Sequence, residues 1–247
     1  MIPLYYDLHM HSCLSPCGDD DMPPANLVGM AAVKGLDVIA LTDHNSCRNC
    51  PAAMKHGEEY GVIVIPGMEL TTSEEVHVVC LFPTLDDALS FDAYVYDHIL
   101  PIKNKEHIFG RQQIMDKEDH VTGNVERLLI SATDISFDRI FALVSSYHGI
   151  AYPAHIDKTT TSLLSNLGFV PPDSTFLCAE IHNMGNLHRI QKEHPYFLQC
   201  NIVSSSDAHY LEDINEPYYQ LYSESRSIPD ILAALLRRTW RYFSRKR

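Results

Sequence analysis

In the stretch "YYDLHMHSCLSPCGDDDM" (residues 5–22), His9 and His11 sit one residue apart behind an apolar, aromatic run. Side chains on a strand alternate with period two, so both imidazoles face the same way. Two imidazoles at one strand end could grip a metal ion. The same residue types recur further along. Asp43 and His44 close "LDVIALTDH" (36–44), and Glu69 ends "VIVIPGMEL" (62–70). His77 lies in "EVHVVCLFP" (75–83), His155 ends "IAYPAH" (150–155), and Asp207 with His209 ends "CNIVSSSDAH" (200–209). One histidine at a strand end is unremarkable in a chain with 14 of them. The joint pattern is hard to obtain from packing alone. Imidazoles mixed with carboxylates suit Zn²⁺, Mn²⁺ or Fe²⁺ and fit Mg²⁺ poorly.

These residues need elements to bring them together. Apolar strand-like runs at 3–9, 36–44, 62–70 and 75–83 are separated early on by helical segments at 23–35 and 51–61, each stopped by a glycine. This β-α-β-α-β rhythm predicts an α/β fold with a parallel sheet or barrel, whose strand C-termini converge on one face. Residues 84–135 are less regular and are expected to be an excursion. A helix over 86–104 runs up to Pro101, and a polar hairpin over 112–130 turns near Thr122-Gly123. The rhythm returns with a helix at 136–149, strands at 150–155, 176–181 and 200–209, and a last helix at 227–240. The 247 residues are read as one domain.

Composition narrows the function. There are 19 basic and 32 acidic residues, a net charge of −13, and six of the basic ones fall in the last eleven, "RRTWRYFSRKR". A broad basic face for duplex nucleic acid is therefore not expected. The tail reads as a solvated helix end, where basic residues are favoured. No apolar run is long enough to span a membrane, and no basic, apolar and small-residue succession heads the chain, so the expected compartment is the cytoplasm. Seven cysteines without an export signal argue against a disulfide framework. Cys13, Cys17, Cys47 and Cys50, in "CLSPC" and "CRNC", leave two readings: a four-thiolate zinc or iron–sulfur site, or ordinary thiols with Cys17 alone near a metal.

The motifs "DLHMHS", "LTDH", "PGMEL", "VHVVCLF", "PAHID" and "SSDAH" resemble, in order, those of the PHP (polymerase and histidinol phosphatase) superfamily. The resemblance covers nearly the whole chain apart from 84–135. It implies a distorted (β/α)7 barrel, two or three divalent metal ions (Zn, Mn or Fe) and phosphoesterase chemistry. Carried over by position, His9, His11, Glu69 and Asp207 would hold one metal. Glu69 would bridge to a second, completed by His77 and His155. His44 and His209 would hold a third, with Cys17 where the family usually has His or Asp; Asp19 or Asp20 could substitute. Glu69, Asp207 and His209 are the expected catalytic residues. A bridging Glu lets two cations sit roughly 3.5–4 Å apart and share a hydroxide, because metal binding brings the pKa of water to about 7. Asp7 and Asp43 neighbour the ligating histidines and could orient them.

For the substrate, Arg48, Lys158 and His182 are expected to line the rim and meet phosphate. The leading expectation is hydrolysis of a phosphomonoester of a small metabolite or nucleotide, with long nucleic acid disfavoured by the acidic balance. The alternatives are a 5′–3′ exonuclease or oligonucleotide phosphatase of the same superfamily and, in another class, a non-catalytic metal-stabilised module.

Overall fold

The computed structural model describes residues 1–237 and the backbone of 243–245. Strand β1 (Ile2–Met10) pairs in parallel with β2 (Val38–Leu41), and β2 in parallel with β3 (Ile63–Thr71). Between them run helices α1 (Pro24–Lys34) and α2 (Cys50–Tyr60). Both helices carry proline in the first turn and end on glycine, Gly35 at φ 79° and Gly61 at φ 74°. Only glycine enters that left-handed region without steric cost, which is why these punctuation marks were readable in the sequence.

After β3 the sheet changes direction. β4 (His77–Leu81) runs antiparallel to β3. The chain then leaves the sheet through α3 (Leu85–His98), the single-turn α4 (Glu106–Phe109) and a separate hairpin, β5 (Gln113–Met115) with β6 (Val121–Asn124). It returns by α5 (Phe137–Ser146) to β7 (Ile150–Pro153), antiparallel to β4. The short α6 (Leu163–Asn166) precedes β8 (Cys178–Glu180), and α7 (Leu187–Glu193) leads to β9 (Asn201–Val203), which forms a parallel pair with β8. β10 (Tyr219–Ser223) joins the main sheet antiparallel to β1, α8 (Ile228–Leu236) follows, and β11 (Phe243–Arg245) lies antiparallel to β10. The main sheet has the order β11-β10-β1-β2-β3-β4-β7.

The α/β class is thus as expected, and a curled sheet carries the strand ends to one side. Its mixed strand directions are not those of a uniform parallel barrel. The hairpin turns at 116–120 rather than at Thr122-Gly123, both of which lie in β6: the Asp116 N–H donates to His120 O, and Asp119 takes φ 58°. Strand character at 200–209 stops at Val203, and 204–209 is a loop. β10 was not anticipated. The expected last helix ends at Leu236, its reach to 240 lies outside the described residues, and part of the basic tail is strand.

The core consists of two apolar clusters. Leu4, Tyr6 and Leu8 of β1 pack with Val38 and Ala40 of β2 and with Ile231 and Leu235 of α8. Ile39 and Leu41 face the other way, toward Leu27, Val28 and Ala53 of α1 and α2. This is the period-two alternation of strands covered on both faces. The 84–135 segment is tied to the sheet through polar contacts. Asn45 donates its amide to Leu129 O (2.6 Å) and Ser131 O (2.9 Å) and accepts from the Thr71 N–H (2.9 Å). No helix among the described residues is long and apolar enough to cross a membrane.

Candidate metal centre

The expected strand ends do converge. Three overlapping groups form: His9, His11, Glu69 and Asp207; His44, Glu69 and His77; and His11, His44 and His209, each with one ligand atom per residue within 4.8 Å of all the others. Glu69 lies at the middle of this arrangement. Its Oε1 is 2.8 Å from His77 Nδ1, 3.0 Å from His155 Nε2 and 3.3 Å from His9 Nε2. Its Oε2 is 3.1 Å from His44 Nδ1 and 3.3 Å from His11 Nε2. Asp207 Oδ1 is 3.1 Å from His11 Nε2 and 3.5 Å from His9 Nε2.

Local structure explains the positions. His9 lies next to the end of β1, and its carbonyl accepts from the Asp207 N–H, while the His11 N–H donates to Ala208 O. The 207–209 loop is thereby stitched beside the β1 end. Glu69 is fixed by its N–H, which faces the carbonyls of Thr42 and Asp43. Asp207 (φ 55°) and His155 (φ 26°) occupy left-handed backbone, a conformation costing on the order of 1–3 kcal/mol in a non-glycine residue and typical of functional sites.

The outward ring nitrogens are held as well. Ser15 Oγ gives its one proton to Asp43 Oδ1 (2.7 Å), so His11 Nδ1, at 2.9 Å from the same oxygen, must be the donor and Nε2 keeps its lone pair for the centre. Asp43 also accepts from the Ser12 N–H and hydroxyl. Asp7 accepts from the N–H groups of Ser206 (2.9 Å) and Asn215 (3.1 Å), and so braces the Asp207 loop rather than a histidine ring. Burial pushes the Asp7 carboxyl up to about 6.

Glu180 was missed in the sequence. It ends β8, is 1% exposed, and accepts from His9 Nδ1 at 2.9 and 3.1 Å and from the His155 N–H at 3.1 Å. Its signal is that of Glu69 and Asp207, an acid at a strand end, in "FLCAEI", two residues before His182.

Electrostatics and hydrogen bonding fit a cation. Burial disfavours a charged Glu69, yet His77, His9 and His44 hold its carboxyl well below the usual range. Burial would likewise lower His11, but Asp207 and Glu69 push it up to about 9. Burial, with His11 and His77 as like-charged neighbours, keeps His44 well below its ordinary value despite Glu69. His9 Nε2, His44 Nδ1 and His155 Nδ1 are buried with no hydrogen-bond partner. Buried lone pairs without a donor are costly, and a divalent ion among these nitrogens and carboxylates would satisfy those that face the centre. The residues present therefore fit divalent metals.

Other expected residues lie elsewhere. Cys17 is exposed and joins none of the three groups; His11 stands where it was expected, with His44 and His209. Asp20 pairs with Arg111, and Asp19 accepts from the Asp21 N–H. No four-thiolate site forms among the described residues. Cys47 and Cys50 are core side chains whose thiols face Gly67 O at 3.1 and 3.6 Å, and Cys13 is buried. Arg48 is held on α3, its Nε 3.2 Å from Asp92 Oδ2 and its guanidinium 4.5 Å above the Tyr96 ring. Lys158 does reach the centre, where its ammonium donates to Asp207 Oδ2. His182 is exposed at the rim of a cleft shared with Lys158 and Asp207, and Asp157 accepts from its N–H at 2.7 Å.

Comparison with known proteins decides the family: a PHP domain is matched over residues 7–225. The chain belongs to the PHP domain family. An uncharacterized protein of Methanocaldococcus jannaschii is 37% identical over 76 residues, 28% of this chain and 44% of that protein. A 5′-3′ exoribonuclease of Haemophilus influenzae is 37% identical over 79 residues, 31% of this chain and 28% of that protein. This PHP chain thus matches less than half the length of either relative. In fold it is similar to endonuclease Q, solved with a 27-mer duplex bearing an abasic lesion at the active site. The TM-score is 0.67 at 18% identity, over 95% of this chain and 56% of that one.

These likenesses overturn the expectation of a small phosphorylated partner with long nucleic acid disfavoured. The exoribonuclease relative and endonuclease Q are both named for action on nucleic acid. The inference failed because net charge describes the averaged field of a surface, whereas substrate choice is made by the few groups at the site.

Proposed function

We propose that this PHP chain is a metal-dependent hydrolase of phosphodiester bonds in nucleic acid, acting on single strands as a 5′–3′ exonuclease. The observation that carries this reading is the convergence of six histidines, Glu69 and Asp207 on one buried point, where buried ring nitrogens face carboxylates without making a hydrogen bond. An intact donor set of this kind argues against a non-catalytic module. The choice of nucleic acid is supported by the exoribonuclease relative and by endonuclease Q.

Two or three divalent ions, Zn, Mn or Fe, are the expected cofactors. His9, His11, Glu69 and Asp207 would hold one. Glu69 would also serve a second, with His77, His155 and His44, and His11, His44 and His209 would hold a third. Such ions, when bound, activate water and neutralise charge on phosphoryl oxygens. The chain's own residues do the positioning. Glu69 and Asp207 supply the charge that keeps the centre together, and Glu180 and Ser15 fix the His9 and His11 rings. Lys158 stands on the solvent side of Asp207, within reach of a phosphate arriving at the centre. Asp157 holds the His182 segment at the same rim.

The test is an assay of 5′-phosphorylated single-stranded RNA and DNA, with duplex controls, in Mn²⁺, Zn²⁺ or Fe²⁺. Stepwise release of mononucleotides from the 5′ end of single strands is expected. No release under any of the three metals from a chain shown to be loaded overturns the proposal.

A further inference from the structure

Beside Asp207 and Lys158 lies a cleft of about 430 Å³ whose wall also includes His182, Asp213, Asn215 and Tyr218. It sits outside the histidine cluster and is not used by the metal-holding groups except through Asp207. Resting on the nuclease reading, we propose that this cleft receives the nucleoside of the nucleotide adjoining the scissile phosphate, and that the Asn215 side-chain amide is the group that reads it.

Four observations point there. First, the Asn215 Nδ2 is buried and has no hydrogen-bond partner. A buried donor left without an acceptor is costly, and a ligand acceptor removes that cost. Second, the Asn215 backbone is tied to the centre. The Asn215 N–H donates to Asp7 Oδ2 and the Ser206 N–H to Asp7 Oδ1, so one buried carboxylate ties Asn215 to the loop that carries Asp207. Third, the charges are arranged for a nucleoside and not for a second phosphate. Lys158 stands at the Asp207 end, while exposed Asp213 lines the cleft. A carboxylate there repels phosphate and accepts from a sugar hydroxyl or a base N–H. Fourth, His182 and Tyr218 present exposed rings at the rim. Base–aromatic stacking strengthens binding and tolerates any sequence.

The volume falls in the range of pockets for single small ligands, about 300–1,000 Å³, so it takes one unstacked nucleotide. A base inside a duplex cannot enter without leaving its stack. The cleft therefore makes a strand end or an unpaired nucleotide the substrate, and it does so through residues separate from the metal-holding ones.

The experiment compares wild type with Asn215→Asp, His182→Ala and Tyr218→Ala on two Mn²⁺-dependent substrates. One is a 5′-phosphorylated single-stranded pentanucleotide; the other is bis(4-nitrophenyl) phosphate, which has no nucleoside. Binding of a fluorescein-labelled pentanucleotide to EDTA-treated protein is followed by anisotropy. In each variant the ratio of the pentanucleotide kcat/KM to that for bis(4-nitrophenyl) phosphate should fall about tenfold, mainly through KM, and the Kd in EDTA should rise by a similar factor. Asn215→Asp replaces a donor with an anionic acceptor, and the two rim variants remain informative if it fails to fold. An unchanged ratio together with an unchanged Kd across the variants overturns the cleft assignment. A wild type that hydrolyses bis(4-nitrophenyl) phosphate but no pentanucleotide overturns the nuclease reading beneath it.

Discussion

Glu180 orders two histidines at once, since its carboxylate binds the His9 ring and the His155 backbone. Groups that orient metal-binding histidines typically contribute 10–100-fold in affinity. Glu180→Gln should therefore weaken Mn²⁺ binding by about that factor while the chain stays folded, as read by chelator competition and circular dichroism. Unaltered Mn²⁺ affinity would show that His9 needs no such brace. Ser15→Ala severs the link from Asp43 to His11 and should act in the same direction, with a smaller loss. The residues that converge were visible in the sequence because most are histidines or acids at predicted strand ends. Glu180 obeyed the same rule yet passed unnoticed, since acids at strand ends are common. Arg48 was misplaced because its partners, Asp92 and Tyr96, lie more than forty residues away on α3, where no motif announces them.

The strands put those residues in place, and the β3–β4 pair is closely packed. A methyl group added at Gly67 would lie 2.5 Å from Cys80 O and 2.8 Å from Leu81 Cδ2. Gly67→Ala should destabilise the fold by about 1–3 kcal/mol, the usual cost of overpacking, and should shift the urea midpoint. A midpoint equal to wild type would mean the sheet yields there at no cost. Hydrophobic runs and glycine stops announced β1 to β4, α1, α2 and α5. What they did not announce was direction. An apolar run reads the same whether its neighbour is parallel or antiparallel, so the reversal at β4 and β7 was not in the pattern. Nor was β10, whose "YQLYS" lacks a continuous apolar run. The hairpin was misread by a few residues because Thr122-Gly123 looks like a turn, while the actual turn at 116–120 relies on Asp116 accepting from the Glu118 and His120 N–H groups.

Across the full chain the charge of −13 sets the long-range field. If a strand is engaged by one nucleotide pocket and Lys158, few phosphates are neutralised. The slope of log kcat/KM for a single strand against log salt should then be shallow, well short of the value near −0.7 per phosphate multiplied over many contacts. A slope as steep as several neutralised phosphates would reveal a basic track that the cleft does not provide. The whole reading stands on Glu69 as the carboxylate shared between metal sites. The direct measurement is metal content by elemental analysis together with Mn²⁺-dependent mononucleotide release, for wild type and Glu69→Gln side by side. Wild type should carry two or three ions and release mononucleotides. Glu69→Gln should lose ions from both shared groups and lose turnover by more than the roughly 10–100-fold expected of an orienting residue. Wild-type metal content and turnover in Glu69→Gln would contradict the account.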